Sequence, residues 1–125
     1  MSLKTFTDAY IECALWSSHD EDGTPLDDSY GESDIAPATR KQMEKDCAAF
    51  YKEWETEWTE SGWSDTQAGH DFWLSRNGHG AGFFDRHFRA DATLGPRTRD
   101  ALQKAAKAYG SFDLYVGDDG KVYGS

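Results

Sequence analysis

The sequence lacks several features that would place it in well-defined protein classes. Its only cysteines are Cys13 and Cys47, too few for the disulfide framework of a small secreted domain. No apolar run approaches the roughly 18–20 residues of a membrane span, and no secretory signal pattern is present. Both cysteines fall on apolar stripes of predicted helices, so we expect buried thiols. A disulfide would need those helices side by side in an oxidising compartment. We predict a soluble, cytoplasmic protein.

Positive charge is missing from a long stretch near the start of the sequence. Thr5 to Thr39 contains nine acidic residues and no lysine or arginine, and the whole chain has a net charge of −10. Residues 1–66 hold 16 acidic against 5 basic residues, whereas residues 67–125 hold 7 against 8. Because phosphate contacts need cations, we expect neither direct nucleic-acid binding through the N-terminal half nor a membrane partner. Such a surface attracts basic partners, although acidity also serves solubility alone.

Aromatic residues, in contrast, are abundant. The 125 residues include five tryptophans, six tyrosines and seven phenylalanines, which bury large areas when packed. A chain of this length fits one domain with its own core. We predict a single α+β domain over residues 1–125, in which about three helices pack on antiparallel β-hairpins.

Three segments show the periodicity of amphipathic helices. They are residues 5–17, 37–60 and 96–109. Thr5 is the predicted N-cap of the first helix, and the other two open on a proline, which suits the first helical turn. Gly110 follows the third helix at the position of a C-terminal glycine cap.

Residues 17–36 are predicted to form a loop, because turn-forming residues dominate and apolar anchors are few. A connection of this length is functional or mobile. Leu26, Tyr30 and Ile35 are spaced to attach it to the body of the domain. Its seven acids define the acidic face: Asp20, Glu21, Asp22, Asp27, Asp28, Glu32 and Asp34.

Two hairpins are predicted in the second half. In the first, Asp71–Arg76 and Ala81–Arg86 are the strands, and residues 77–80 form a turn with two glycines. The second covers residues 112–123, with Asp-Gly between two apolar runs.

The stretch 70–87 holds three histidines, yet it matches no catalytic signature. A three-histidine metal site is disfavoured, because the predicted hairpin separates His79 at its tip from His70 and His87 at its base. The candidate ligand-binding residues are Arg76, Asn77 and His79. They suit an anion or nucleotide pocket with loop N–H groups, and an ordinary structural turn explains them as well. We predict no catalytic residue, metal or cofactor.

Three blocks of sequence together resemble a known family. They are Asp8–Ser18 (DAYIECALWSS), Ala68–Arg86 (AGHDFWLSRNGHGAGFFDR) and Asp113–Tyr123 (DLYVGDDGKVY), with PLDD and DIAP between the first two. They are similar to small acidic proteins encoded by bacteriophages, prophages and plasmids. The resemblance implies an accessory protein of a mobile element, acting in the cytoplasm of a bacterial host cell. That family has no assigned activity, so no catalytic residue is carried over.

Two functional hypotheses follow. The favoured one is a non-enzymatic accessory protein whose acidic face binds the basic surface of a host or phage protein, in the extreme as a nucleic-acid mimic. The alternative is a small-ligand or nucleotide-binding domain that uses residues 76–80, with catalysis left open. The sequence does not indicate an oligomeric state.

Overall fold

The computed structural model of the chain describes residues 2–20, 22–60, 62–77 and 96–125. Their elements are α1 (Leu3–Ser17), α2 (Pro37–Glu60), α3 (Asp65–Arg76), α4 (Pro96–Lys107), β1 (Leu114–Val116) and β2 (Val122–Gly124). The α+β class is therefore confirmed, with four helices rather than about three in the described ranges. None of these helices combines the length and the apolar character needed to cross a bilayer.

Helix α1 begins earlier than the sequence predicts. Its N-cap is Ser2, whose hydroxyl accepts a hydrogen bond from the backbone N–H of Thr5 at 3.2 Å. Thr5 is therefore not the cap but lies inside the first turn. The predicted stripe is confirmed, since Phe6, Tyr10 and Cys13 are all buried.

Helices α2 and α4 confirm their predicted stripes. Helix α2 buries Met43, Cys47, Phe50 and Trp58. Helix α4 buries Leu102 and Ala106, and Gly110 lies just beyond it with φ of +79°, a left-handed conformation that favours glycine. Cys13 and Cys47 are buried thiols, as expected, and they are not joined by a disulfide.

The predicted strand Asp71–Arg76 is wrong, because these residues form the second half of helix α3. Ser64 caps this helix by accepting a hydrogen bond from the backbone N–H of Gln67 at 3.1 Å. Six of its eight buried residues recur with the period of a helix: Asp65, Ala68, Gly69, Phe72, Trp73 and Arg76. The other two, Asp71 and Ser75, lie four positions apart on a further side of the helix. The second predicted strand, Ala81–Arg86, lies outside the described residues.

Helix α3 occupies the centre of an aromatic core. The Phe72 ring stacks on Phe50 of α2 with centroids 4.1 Å apart, and it lies 6.0 Å from Phe6 of α1. Trp73 meets Tyr10 of α1 edge-on at 5.3 Å. Adjacent aromatics on α3 are thus both buried, because other elements cover the helix on more than one side.

The predicted C-terminal hairpin is confirmed. Strands β1 and β2 pair antiparallel with Tyr115 opposite Tyr123, and the turn between them includes Gly120 with φ of +80°. Leu114 and Val122 point into the core, whereas the rings of the tyrosine pair stack on the other side, with centroids 6.0 Å apart.

Candidate functional site

The acidic loop is attached to the domain at the three predicted points. Leu26 is fully buried, Ile35 is 5% exposed, and Tyr30 packs half-buried against the core. Two short 3-10 turns, Leu26–Asp28 and Glu32–Asp34, reverse the chain beside these anchors. The described residues of the loop are therefore held against the body of the domain.

Two of the seven acids shape the loop itself. Asp20 accepts hydrogen bonds from the backbone N–H groups of Asp22 and Thr24 at 2.9 and 3.0 Å. Asp34 accepts one from Gly31 at 2.8 Å. The remaining acids with described positions are exposed: Asp22, Asp27, Asp28 and Glu32. Glu21 lies outside the described residues.

An open groove of about 380 Å³, here called the helix groove, separates the loop from α1. Four carboxylates line it, two from α1 and two from the loop: Asp8, Glu12, Asp27 and Glu32. Ile11, Leu15 and Tyr30 supply apolar surface between them. Periodicity along α1 places Asp8 and Glu12 on one helical face, but only the folded loop reveals that this face borders the acidic face.

Basic residues neutralise only part of this groove. Lys4 pairs with Asp8 at 2.7 Å, and Arg40 pairs with Glu32 at 2.6 Å. Within the described ranges, Glu12 and Asp27 have no ion-pair partner. Two exposed negative charges thus remain uncompensated beside an apolar floor.

The acidic face continues onto the hairpin across a second open groove of about 480 Å³, here called the hairpin groove. The loop side is formed by His19, Asp20, Asp22 and Tyr30, and the hairpin side by Tyr115, Val116 and Asp118. Tyr115 is 50% exposed. In the described part of the chain, no three His, Cys, Asp or Glu side chains come together in a way that could hold a metal ion.

Arg76, a candidate ligand-binding residue, lies inside the protein and is 5% exposed. Its guanidinium donates to the Asp46 carboxylate at 2.9 Å, the Tyr10 hydroxyl at 3.0 Å, and the backbone oxygens of Tyr109 and Gly110 at 3.0 and 2.9 Å. Four of its five N–H groups are thereby used by the protein itself.

Aromatic rings surround the same guanidinium. Its carbon atom lies 5.8, 5.6 and 5.3 Å from the ring centroids of Phe72, Tyr109 and Phe112, within cation–π range. Asp46, the carboxylate partner of this guanidinium, lies on α2 among several charged residues. Its position three residues after the buried Met43, at the margin of the apolar stripe, was the available signal for its burial.

Asn77 also serves the fold. Its amide donates to the backbone oxygen of Trp73 at 2.9 Å, and its oxygen accepts from the backbone N–H of Phe112 at 2.8 Å. The structure therefore uses Arg76 and Asn77 to join the end of α3 to the segment that follows α4. His79, the third candidate, lies outside the described residues, as does His87.

The buried thiol of Cys47 is not arranged as a nucleophile. Burial is the main reason that its pKa is raised far above the ordinary value, which keeps the sulfur protonated at neutral pH.

Comparisons of the chain with protein-family models, with curated proteins and with solved structures find no match in any of the three. The resemblance to proteins of mobile elements accordingly stays a prediction, and function has to be argued from the geometry of the surface.

Proposed function

We propose that the protein is a non-enzymatic binding protein whose acidic face engages the basic surface of a host or phage protein. One observation carries this proposal: Leu26 and Ile35 anchor the acidic loop, so that its exposed acids stand at fixed positions beside those of α1. The two uncompensated carboxylates of the helix groove, Glu12 and Asp27, are directly available to lysine or arginine side chains.

Anchoring of the acidic loop lowers the entropic cost of binding a partner. An unanchored acidic segment would lose conformational freedom when it meets its partner, and that loss subtracts from affinity. Here folding has already ordered the segment, since Asp20 and Asp34 hold its turns through hydrogen bonds to backbone N–H groups. More of the electrostatic attraction therefore remains for affinity and for steering the encounter.

Besides positive charge, the apolar floor of the helix groove favours partner side chains with an aliphatic stem. Tyr30 lines the helix groove and is only half-buried, so a bound lysine or arginine can lay its aliphatic stem against this ring while its charge reaches the rim. Trp16 is 59% exposed one turn after Glu12 on the same helical face, where a cation can stack on its indole.

The resemblance to proteins of mobile elements supplies the setting of this proposal. A partner in the cytoplasm of a bacterial host would be a host or phage protein with a basic surface. Where that surface normally holds nucleic acid, the acidic face would compete for it as a mimic.

The test is capture of partners from a host lysate by the immobilised protein, at about 0.1 M and about 1 M salt. The screening length falls from about 10 Å to about 3 Å between these conditions, so we expect capture to drop sharply. A triple variant, Asp22→Asn, Asp27→Asn and Asp28→Asn, should lose the same partners at low salt.

A matched triple variant controls for net charge. Glu53→Gln, Glu60→Gln and Asp100→Asn remove three exposed acids from α2 and α4 and should leave capture intact. Capture that responds neither to salt nor to the loop variant, or that both variants reduce equally, would contradict the proposal.

A further inference from the structure

The outer edges of the two strands in the C-terminal hairpin differ in their hydrogen bonding. Asp113 and Ser125 each donate a backbone N–H to the other's carbonyl oxygen, at 2.9 and 3.0 Å. The N–H of Gly117 donates to the carbonyl oxygen of Lys121 at 2.8 Å. Hydrogen-bonded pairs alternate along an antiparallel ladder. The backbone groups of Leu114 and Val116 therefore point away from β2.

The outer edge of β2 is closed by the start of α2. The carbonyl oxygen of Val122 accepts from the N–H of Ala36 at 2.8 Å, and the N–H of Gly124 donates to the Thr39 hydroxyl at 3.1 Å. Among the residues that the structure describes, nothing comparable closes β1. Within the described ranges, the outward N–H and C=O groups of Leu114 and Val116 have no protein partner.

The hairpin groove lies on this open side. The hairpin contributes Tyr115, Val116 and Asp118 to its lining, and no residue of β2 takes part. Across the groove stand Asp20 and Asp22 of the acidic loop. The free strand edge and the continuation of the acidic face thus border the same space.

We propose that an extended segment of the partner protein, bearing lysine or arginine at alternate positions, adds to β1 as a third strand in the hairpin groove. This inference rests on the proposed function and specifies how the partner is held. Main-chain hydrogen bonds would come from Leu114 and Val116, as in other strand additions. Alternation of side chains along the added strand would bring every second one toward the aspartates of the groove.

The size of the edge explains why the segment must be cationic. β1 offers only two outward N–H groups and two outward C=O groups, too few for firm binding by the main chain alone. Asp20, Asp22 and Asp118 supply the charge that distinguishes one extended segment from another. The same charge opposes pairing of β1 with a second copy of this chain, since both copies carry a net charge of −10.

The probe is a synthetic peptide of alternating lysine and valine, about ten residues long, added to the isotope-labelled full chain at low salt. We expect amide shifts at Leu114 and Val116 and slower hydrogen exchange at both. Two further peptides of the same sequence carry N-methyl groups, one on the odd-numbered residues and the other on the even-numbered residues. Since alternate N–H groups of a strand point to opposite edges, one of the two peptides lacks the N–H groups that would face β1. Because side chains and charge are unchanged, at least one of them should bind about ten- to a hundredfold more weakly, the loss expected for two hydrogen bonds.

Variants of the protein supply the second measurement. Val116→Pro removes one outward N–H and no bond of the ladder, so the hairpin should stay folded while affinity falls. Val116→Thr keeps the N–H and the shape, and should bind as the parent does.

Equal affinity of the methylated and unmethylated peptides, or no binding at all at low salt, would overturn strand addition. So would a dimer of the chain that Val116→Pro dissolves, because the edge would then belong to a second copy. If Val116→Pro leaves lysate capture intact while the loop triple variant abolishes it, strand addition fails and the proposed function stands. If salt and the loop variant leave capture unchanged, the proposed function itself fails.

Discussion

Arg76 and Asp46 form an ion pair inside the protein, with Nη1 2.9 Å from Oδ2 and with side chains 4% and 13% exposed. The pair joins the end of α3 to the middle of α2. The same Nη1 donates to the Tyr10 hydroxyl of α1, and Nη2 donates to the backbone oxygen of Tyr109 beyond α4. One side chain thereby connects α1, α2 and α3 with the segment that follows α4.

Replacing Arg76 with methionine should destabilise the protein by about 3–5 kcal/mol, because it leaves the largely buried Asp46 carboxylate without its ion-pair partner. Urea unfolding at neutral pH measures the change. Arg40→Met is the matched control: Arg40 pairs with Glu32 and Glu44 near the surface, where such pairs contribute about 0–1 kcal/mol. Equal losses in the two variants would show that burial of the Arg76 pair is irrelevant to stability.

Replacing Gly69 with alanine should also destabilise the protein, although alanine favours a helix by about 1 kcal/mol over glycine. A Cβ at position 69 would collide with the backbone oxygen of Phe6 and come within 3.0 Å of the Ala9 Cβ. Helix α3 would have to move off α1, and overpacking of this kind costs about 1–3 kcal/mol.

The control for this substitution is Gly31→Ala, in a 3-10 turn of the acidic loop. A Cβ there meets no atom of the described residues within 4 Å, and φ of −119° suits any residue. We expect its midpoint in thermal unfolding to match the parent's. A Gly69→Ala variant as stable as the parent would mean that the close contact between α1 and α3 yields without cost.

The free energy of unfolding should fall as the pH rises above about 9. Burial raises the pKa of Cys47 and of Tyr10 above their ordinary values of 9.0 and 10.0. In both cases the folded state holds its proton more tightly than the unfolded state. The stabilisation is thus complete below pH 9 and declines above it, first through Cys47 and then, above pH 10, through Tyr10.

Urea unfolding at a series of pH values from 7 to 11 tests this. Each group lowers the free energy of unfolding by up to about 1.4 kcal/mol per pH unit in its own range. Tyr10→Phe removes the hydroxyl, so its stability should decline less steeply than the parent's above pH 10. Parallel curves for the two proteins would assign the alkaline loss to other groups.

The sequence predicts elements well where one signal dominates. The stripe from Met43 to Trp58 continues for four turns, and Asp-Gly between apolar runs marks the C-terminal hairpin. In α3 two signals conflict. Phe72, Trp73 and Leu74 are adjacent and a glycine-rich segment follows, which favours a strand, whereas Ser64 and Gln67 have the spacing of a capping box. The capping signal was the correct one.

The sequence also predicts some parts of the candidate site and not others. The distribution of charge along the sequence reveals the acidic face, because its seven acids lie in one loop. The anchors at Leu26 and Ile35 are recognisable as isolated apolar residues in that loop. The α1 side of the helix groove and the open edge of β1 depend on which elements come to lie next to each other. Pairing of that kind is a property of tertiary packing, which single-residue patterns do not encode.

The hydrogen bonds from the Ala36 N–H to Val122 and from the Gly124 N–H to Thr39 have a consequence for motion. They join residues 86 and 85 positions apart, so we expect the end of the acidic loop and the last strand to open and close together as one cooperative unit. Anything that holds the hairpin closed also suppresses local opening of the loop, without touching it. By thermodynamic linkage, a partner seated on the loop tightens the hairpin to the same degree.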